Sequence, residues 1–136
     1  MAYFRQASLQ KNLQLRAKII QAIRSFFVDR DYLEVETPIR IPAPAPEAHI
    51  DAVESGERFL QTSPELCMKQ LLAAGPRRTF QICKCFRQGE RGRLHLPEMT
   101  LLEWSRAVSE YLGLMNECED LINTVAGTVG SEEGTL

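Results

Sequence analysis

The sequence predicts an α+β fold, and two kinds of apolar spacing support this prediction. Toward both ends of the chain, apolar residues recur every three or four positions, as they do on one face of an amphipathic helix. Between these ends, the segments TFQICKCFR and EMTLLEWS alternate from residue to residue, as strands do. Only a charged loop separates the two segments. They are therefore predicted to pair as one long hairpin.

The composition limits the class of protein. The 136 residues are 44% hydrophobic and 25% charged, which suits one core and one domain and gives no sign of disorder. A formal net charge of -2 argues against nucleic-acid binding through a generally basic surface. No apolar run approaches the roughly 18 residues that cross a bilayer, and MAYFRQASLQ lacks the apolar core of a signal peptide. We expect a cytoplasmic protein without a membrane partner.

The four cysteines indicate reduced thiols rather than a disulfide framework. No C-x-x-C pair suggests a structural zinc site. Cys83 and Cys85 form a C-x-C on a predicted strand, which places both sulfurs on one face. Packing and metal binding would each explain this pair, and packing is favoured because no second ligand pair is near. No metal site is predicted.

The first helix is predicted over residues 8–30, with about seven residues before it. A strand follows at residues 33–37, and Pro38 places it at the edge or the end of a sheet because proline has no N–H to donate. The segment IPAPAPEAH is predicted to be an extended loop.

A short second helix is predicted after TS, with Ser63 as N-cap, Pro64 as the first helical residue, Glu65 in the first turn and Gly75 as terminator. A third helix is predicted over residues 109–125, and GTVGSEEGTL is expected to be a polar tail.

The charged loop of the hairpin carries the main functional signal. Arg87 ends the first strand and Glu103 lies on the second, so both side chains could share one face. An arginine fork suits a phosphate or carboxylate, and a glutamate suits an ammonium group or a metal that bridges phosphates. Arg91, Arg93 and His95 could close over a polyphosphate. The alternative is a surface hairpin with ordinary salt bridges.

Three segments resemble the class II aminoacyl-tRNA synthetases in the order of that family. FFVDRDYLEVETPI resembles motif 1, TSPEL resembles the substrate-side TSPE segment, and CFRQGERGRLHLPEMTLLEW resembles motif 2 of the lysyl type. The GRLHLPE loop and the short N-terminus are most similar to the relative that attaches β-lysine to elongation factor P. The resemblance implies a partial catalytic domain over residues 1–136, with motif 1 at about 17–39, motif 2 at about 80–104 and no anticodon-binding domain.

The family resemblance further implies an antiparallel sheet flanked by helices and a homodimer formed through motif 1. It implies ATP and Mg²⁺ as cofactors, lysine or β-lysine as the amino-acid substrate, and elongation factor P as the acceptor protein. The amino acid would become an adenylate and pass to a lysine of the acceptor. A tRNA partner is not expected.

The same resemblance assigns roles to single residues. Arg87 is the expected catalytic residue, which holds the α-phosphate and the amino-acid carboxylate. The ATP-binding residues are expected to be Arg87, Gln88, Gly89, Glu90, Arg93, His95, Leu96 and Met99. The substrate-binding residues are expected to be Ser63, Pro64, Glu65, Glu103 and Ser105. Plain alternatives exist, because Ser63 and Glu65 also suit a helix cap and His95 also suits a solvated loop.

Several positions depart from the family pattern. Gly89 replaces an acidic residue, Leu96 an asparagine, Met99 an adenine-stacking phenylalanine and Ser105 a tyrosine. Motif 3 has no counterpart, because no arginine follows the late glycines Gly127, Gly130 and Gly134. The 136-residue chain alone is therefore expected to be inactive. Two alternatives to the ligase stay open: a non-catalytic paralogue or fragment that acts as a dimeric binding module, and a fragment of a lysyl-tRNA synthetase.

Overall fold

The structure of the protein, a computed structural model, describes residues 2–130, with side chains from residue 9 onward. The chain forms two compact units. One contains the residues up to Asp31 together with those from Val108 onward, and the other spans Tyr32–Ala107. No helix within residues 2–130 is both long enough and apolar enough to cross a membrane.

The first unit is a pair of helices, α1 (Ala2–Val28) and α3 (Tyr111–Gly130), which contact each other. An apolar groove of about 390 Å³ runs along both helices. It is lined by Ile19, Ile23, Leu121, Ile122, Val125, Ala126 and Val129.

Aromatic packing and a left-handed residue mark the end of α1. Phe26 and Phe27 are buried, and their rings meet edge to face with centroids 5.2 Å apart. The Arg30 guanidinium lies 3.7 Å from the centre of the Phe26 ring. Asp31 then adopts φ 60°, a left-handed conformation that aspartate tolerates better than most residues. This turn ends the first of the two chain segments that form the unit.

Both helices are longer than the sequence pattern predicted. The first begins at Ala2 and not at residue 8, so the prediction of about seven preceding residues is wrong. No glycine or proline interrupts this stretch, and each added residue extends the helix by one hydrogen bond. The third helix continues through Gly127 and Gly130, which were predicted to lie in a tail. Gly134 lies outside the described residues.

The second unit contains a three-stranded sheet of order β1-β5-β6, formed by β1 (Leu33–Glu34), β5 (Arg78–Phe86) and β6 (Glu98–Arg106). The last two pair antiparallel over their full length, which confirms the predicted hairpin. At the edge of the sheet, as Pro38 predicted, β1 is parallel to β5. The sheet is therefore mixed, whereas the family resemblance implied an antiparallel sheet; β1 runs parallel because a long connection brings the chain back in the same direction.

A second small sheet lies within that connection and was not predicted. Its strands are β2 (Arg40–Ile41), β3 (Glu54–Ser55) and β4 (Arg58–Leu60), in the antiparallel order β2-β4-β3. The second residue of β2, Ile41, is also the first residue of the segment predicted to be an extended loop. The Arg40 guanidinium ties two strands together by donating from Nε and Nη2 to the Ser55 carbonyl, at 3.1 and 2.9 Å.

The short helix α2 spans Glu65–Ala73. Pro64 occupies the N-cap position, one residue later than predicted. Gly75 has φ +137° and ends the helix, as the sequence indicated. The buried side chains of this unit include Tyr32, Ile41, Met68, Phe80 and Cys85.

Candidate functional site

The hairpin register brings the predicted catalytic residue Arg87 and two of the predicted substrate residues, Glu103 and Ser105, to one face of the sheet. Gln81 pairs with Glu103, Cys85 with Met99 and Thr79 with Ser105. Side chains alternate between the faces of a strand, so these residues share a face with Arg87, which continues the alternation beyond Phe86. We call this the charged face; it comprises Thr79, Gln81, Cys83, Cys85, Arg87, Met99, Leu101, Glu103 and Ser105.

Arg87 stands at one end of the charged face and is held on several sides. Its N–H donates to the Pro97 carbonyl at 2.9 Å, which continues the hairpin by one more pair. The side chain donates from Nε to the Thr62 carbonyl at 3.4 Å, and an Nη1 atom lies 3.8 Å from Oε1 of Glu90. The side chain remains 23% exposed, so the planar fork stays accessible to an anion.

Glu103 stands at the other end, beside charges from α2. Burial raises the pKa of Glu103, the nearby Glu65 carboxylate raises it further, and Lys69 lowers it. Lys69 itself is hydrogen-bonded to Glu65 one helical turn away, and this contact raises the pKa of Lys69. Two carboxylates and one ammonium thus lie together. Because the carboxylates outnumber the ammonium group, this end of the charged face favours the binding of a further cation.

The separation between the two ends is large. Arg87 lies six residues along the chain from Gln81, the partner of Glu103. At the rise of a strand this is roughly 20 Å between backbone positions. One small ligand could contact both side chains only if these leaned toward each other along the strands. A ligand that touches both must therefore be extended and charged at both ends.

Ser63 lies one residue before the N-cap Pro64, and its hydroxyl still contacts the start of α2. Ser63 Oγ accepts a hydrogen bond from the Glu65 N–H at 3.2 Å. Pro64 is buried, and its carbonyl accepts from the Met68 N–H at 2.9 Å. Both residues therefore position Glu65 at the start of the helix. A direct substrate contact by either stays a prediction.

The loop after Arg87 turns sharply and then becomes exposed. The Gln88 N–H donates to the Asp51 carbonyl at 2.8 Å, and Gly89 adopts φ +74°. Further along, Arg93, His95 and Leu96 are all exposed. The turn is closed by the Gly92 N–H, which donates to the His95 carbonyl at 3.2 Å. The structure thus places the predicted triphosphate-facing residues on an accessible loop.

An open cleft beside Gln88 and Gly89 was missed by the sequence analysis. Its volume is about 770 Å³. In the sequence, the only sign of this cleft is the group of acidic residues next to the proline-rich segment. The walls are Pro44, Ala45, Pro46, Glu47, Ala48, Ile50, Asp51, Ala52, Glu54, Phe59, Gln88 and Gly89. Lys69 and the Thr62 carbonyl were missed as well, because their proximity to the site depends on tertiary structure.

The described residues contain no group of three or more histidine, cysteine or acidic side chains that could hold a metal ion. The C-x-C pair has its two Sγ atoms 3.8 Å apart, with Cys85 buried and Cys83 half-buried.

Comparison with known protein families identifies the family of this chain. The family model described as tRNA synthetases class II (D, K and N) matches residues 1–135. The chain belongs to this family. The resemblance of the three sequence segments is thereby confirmed.

Curated relatives carry the name elongation factor P--(R)-beta-lysine ligase. The protein of Proteus mirabilis (strain HI4320) is 42% identical over 131 residues, and that of Pectobacterium carotovorum subsp. carotovorum (strain PC1) is 44% identical over 131 residues. Each alignment covers 89% of this chain and 40% of the relative. The protein of Pasteurella multocida (strain Pm70) is 43% identical over 125 residues, or 85% of this chain and 39% of the relative. The chain thus spans about 40% of the length of the curated relatives it matches.

Proposed function

We propose that this chain forms part of a lysyl-tRNA synthetase-related ligase. The ligase activates lysine or β-lysine with ATP as an adenylate and transfers it to a lysine of elongation factor P. The names of the relatives support the acceptor and the amino acid. The family supports the use of ATP.

The observation that carries the proposal is the opposite charge at the two ends of the charged face. Arg87 provides a guanidinium at one end, and Glu103 with Glu65 provides carboxylates at the other. Lysine and β-lysine carry a carboxylate at one end and an ammonium group at the far end. In this arrangement Arg87 pairs with the carboxylate and Glu103 pairs with the distal ammonium.

In the activation step, the amino-acid carboxylate attacks the α-phosphorus of ATP and pyrophosphate leaves. Arg87 neutralises the negative charge that accumulates between the two reactants. Gln88, Gly89, Glu90, Arg93, His95 and Leu96 form the nucleotide side of the site, and Met99 covers the adenine. A bound Mg²⁺ ion would neutralise phosphate charge. The described residues hold no group of three or more metal-ligating side chains, which suits an ion held mainly by the phosphates.

Amino-acid recognition is tested by calorimetric titration with lysine, β-lysine and norleucine, which lacks the distal ammonium. Lysine or β-lysine should bind the 136-residue chain at least about tenfold more tightly than norleucine, since a charged hydrogen bond is worth about 1.5–3 kcal/mol. Glu103→Gln should remove this preference. Lys84→Ala is the matched control, because Lys84 lies on the same hairpin but on the opposite face. Equal affinity for lysine, β-lysine and norleucine would overturn the proposal.

A non-catalytic paralogue is the second candidate, and the loop favours it. Leu94 and Leu96 are 83% and 67% exposed at the place where a polar triphosphate-facing loop is expected. In the longer protein, amino-acid-dependent ATP–pyrophosphate exchange above background would exclude this candidate. Transfer to tRNA instead of elongation factor P would favour a lysyl-tRNA synthetase.

A further inference from the structure

Two cysteines lie side by side in the middle of the charged face, and the proposed function uses neither. The Sγ atoms of Cys83 and Cys85 are 3.8 Å apart. Both side chains leave β5 on the same face, because they are two residues apart on a strand. Such a distance brings the two thiols into contact without a covalent bond.

The two thiols differ in environment. Cys85 is fully buried, whereas Cys83 is partly accessible and accepts a hydrogen bond from Gln61 Nε2 at 3.4 Å. The contact with Cys85 and the Gln61 amide lower the pKa of Cys83. The contact with Cys83 and burial raise the pKa of Cys85. Of the two thiols, Cys83 therefore gives up its proton more readily and is the better nucleophile, while Cys85 keeps its proton.

We propose that Cys83 and Cys85 form an oxidation site at which hydrogen peroxide converts the two thiols into an intrastrand disulfide. The Cys83 thiolate attacks one peroxide oxygen, the O–O bond breaks, and the leaving hydroxide takes up a proton to become water. The Cys85 sulfur then attacks the sulfenic acid on Cys83. The S–O bond breaks, and the departing hydroxyl leaves with the Cys85 proton as a second water. The thiols lose two electrons and the peroxide gains them.

The geometry permits this bond with a local change in β5. A disulfide needs its sulfurs roughly 2.05 Å apart, so the two Sγ atoms must approach by less than 2 Å from their present 3.8 Å. Residues two apart on a strand have Cα atoms roughly 6.6 Å apart, close to the upper limit for a disulfide. The strand must bend slightly to close the bond, and a strained disulfide is easily reduced again.

The position of the pair predicts a consequence for ligand binding, and this part rests on the proposed function. Gln81 lies directly before the pair on the charged face, and Arg87 lies directly after it. Bending β5 between them changes the spacing between Arg87 and Glu103, the partner of Gln81. A ligand that spans both ends would no longer fit. Oxidation is therefore expected to weaken lysine binding by at least about tenfold, and dithiothreitol should restore it.

Mass spectrometry of the 136-residue chain tests the disulfide without any assay of function. The reduced chain is treated with one equivalent of hydrogen peroxide, blocked with N-ethylmaleimide and digested with trypsin. Trypsin cleaves after Lys84, so the disulfide appears as TFQICK linked to CFR. These two peptides should be joined and free of maleimide, while the peptides with Cys67 and Cys118 stay labelled. Migration as a single chain on a non-reducing gel should show that the bond is intramolecular.

Two variants test the order of the steps. In Cys85→Ser, Cys83 should stop at the sulfenic acid, which dimedone traps. In Cys83→Ser, the remaining Cys85 should oxidise at least about tenfold more slowly, because it is a buried thiol. Three outcomes with the wild-type chain would each overturn the proposal. They are preferential oxidation of Cys67 or Cys118, a disulfide-linked dimer, and TFQICK and CFR that still carry maleimide after excess peroxide. If Cys83 and Cys85 form the disulfide but the chain binds no lysine, the disulfide proposal stands and the proposed function is overturned.

Discussion

Gly89 adopts a backbone conformation that side chains disfavour. Its φ is +74°, and a Cβ atom at this position would meet no other atom within 4 Å. The restriction is therefore in the backbone and not in the available space. We expect Gly89→Ala and Gly89→Glu each to lower the free energy of unfolding by about 1–2 kcal/mol. Gly89→Asn should lower it less, since asparagine tolerates this region.

Urea unfolding of these variants measures the cost of each side chain. Equal stability of the glycine and alanine forms would contradict the left-handed conformation. Restoring the acidic residue of the family pattern at Gly89 is consequently expected to give no gain in ATP affinity, because the strain opposes any new contact with the base.

Met99 offers the cleaner test of the nucleotide side. It lies on the charged face, opposite Cys85, and is half-buried. If it covers the adenine, Met99→Phe should tighten ATP binding about fivefold, because an oriented aromatic contact is worth about 1 kcal/mol. Met99→Leu is the control, since it keeps an apolar side chain without an aromatic face. Calorimetry with ATP and magnesium measures both. Unchanged or weaker affinity in Met99→Phe would show that the side chain faces something else.

Glu103 should make stability depend on pH in a defined direction. Burial, followed by the Glu65 charge, raises the pKa of Glu103 above its ordinary value of 4.5, while Lys69 opposes the shift. The folded chain then retains a proton that the unfolded chain has lost, so this group reduces stability as the pH rises above 4.5. Glu103→Gln, which stays neutral, should gain stability relative to the wild type over that window.

Thermal unfolding at several pH values checks this prediction. Glu98→Gln is the matched control, because Glu98 pairs with Lys84 at 2.8 Å on the exposed side of the same strand. It should show no comparable gain. A Glu103→Gln variant whose difference from the wild type is constant with pH would contradict the raised pKa.

Some of these residues could be predicted from the sequence and others could not. Strand periodicity was enough to place Arg87 and Glu103 on one face, because alternation is a local property of the chain. The proximity of Lys69 and Glu65 to Glu103 was not predictable, since it depends on how α2 lies against β6. The positive φ of Gly89 could not be predicted from the sequence, because glycine permits either sign.

At the scale of elements, the hydrogen bond that Ser63 makes at the start of α2 has an effect on stability that can be measured. Ser63 Oγ accepts from the Glu65 N–H at 3.2 Å, so Ser63→Ala leaves one N–H of the first turn without its partner. We expect a loss of about 1 kcal/mol in the free energy of unfolding. Ser63→Thr keeps the hydroxyl and should lose much less. Chemical denaturation distinguishes the two variants. Equal stability of the alanine and serine forms would show that this hydrogen bond contributes nothing to stability.

The length of an element decides whether its sequence signal is visible. The hairpin strands β5 and β6 each run for nine residues, which is long enough for alternation to be recognised. The strands of the second sheet are two or three residues long, too short for any period to appear. The parallel pairing of β1 was also hidden, because direction depends on the whole connection to β5 and not on the strand itself.

At the scale of the whole molecule, the apolar residues along α1 are only partly covered within one chain. Phe26 and Phe27 are already buried within the single chain. The outward part is Leu9 and Leu13, which are 58% and 57% exposed. We expect these leucines, together with motif 1 that follows them in the chain, to meet their counterparts across a two-fold axis in a homodimer.

Leu13→Glu tests this assembly because a two-fold interface contains every substitution twice. Loss of at least about 1.5 kcal/mol of apolar burial per copy should weaken the dimer about a hundredfold or more. Gln14→Glu, at the exposed neighbouring position, adds the same charge and should leave the dimer intact. Sedimentation velocity at micromolar concentration measures the assembly, and circular dichroism checks that each variant stays folded. A folded wild-type monomer would contradict the prediction outright. A dimer that Leu13→Glu does not weaken would place the interface on another surface, with the α1–α3 groove as the next to test.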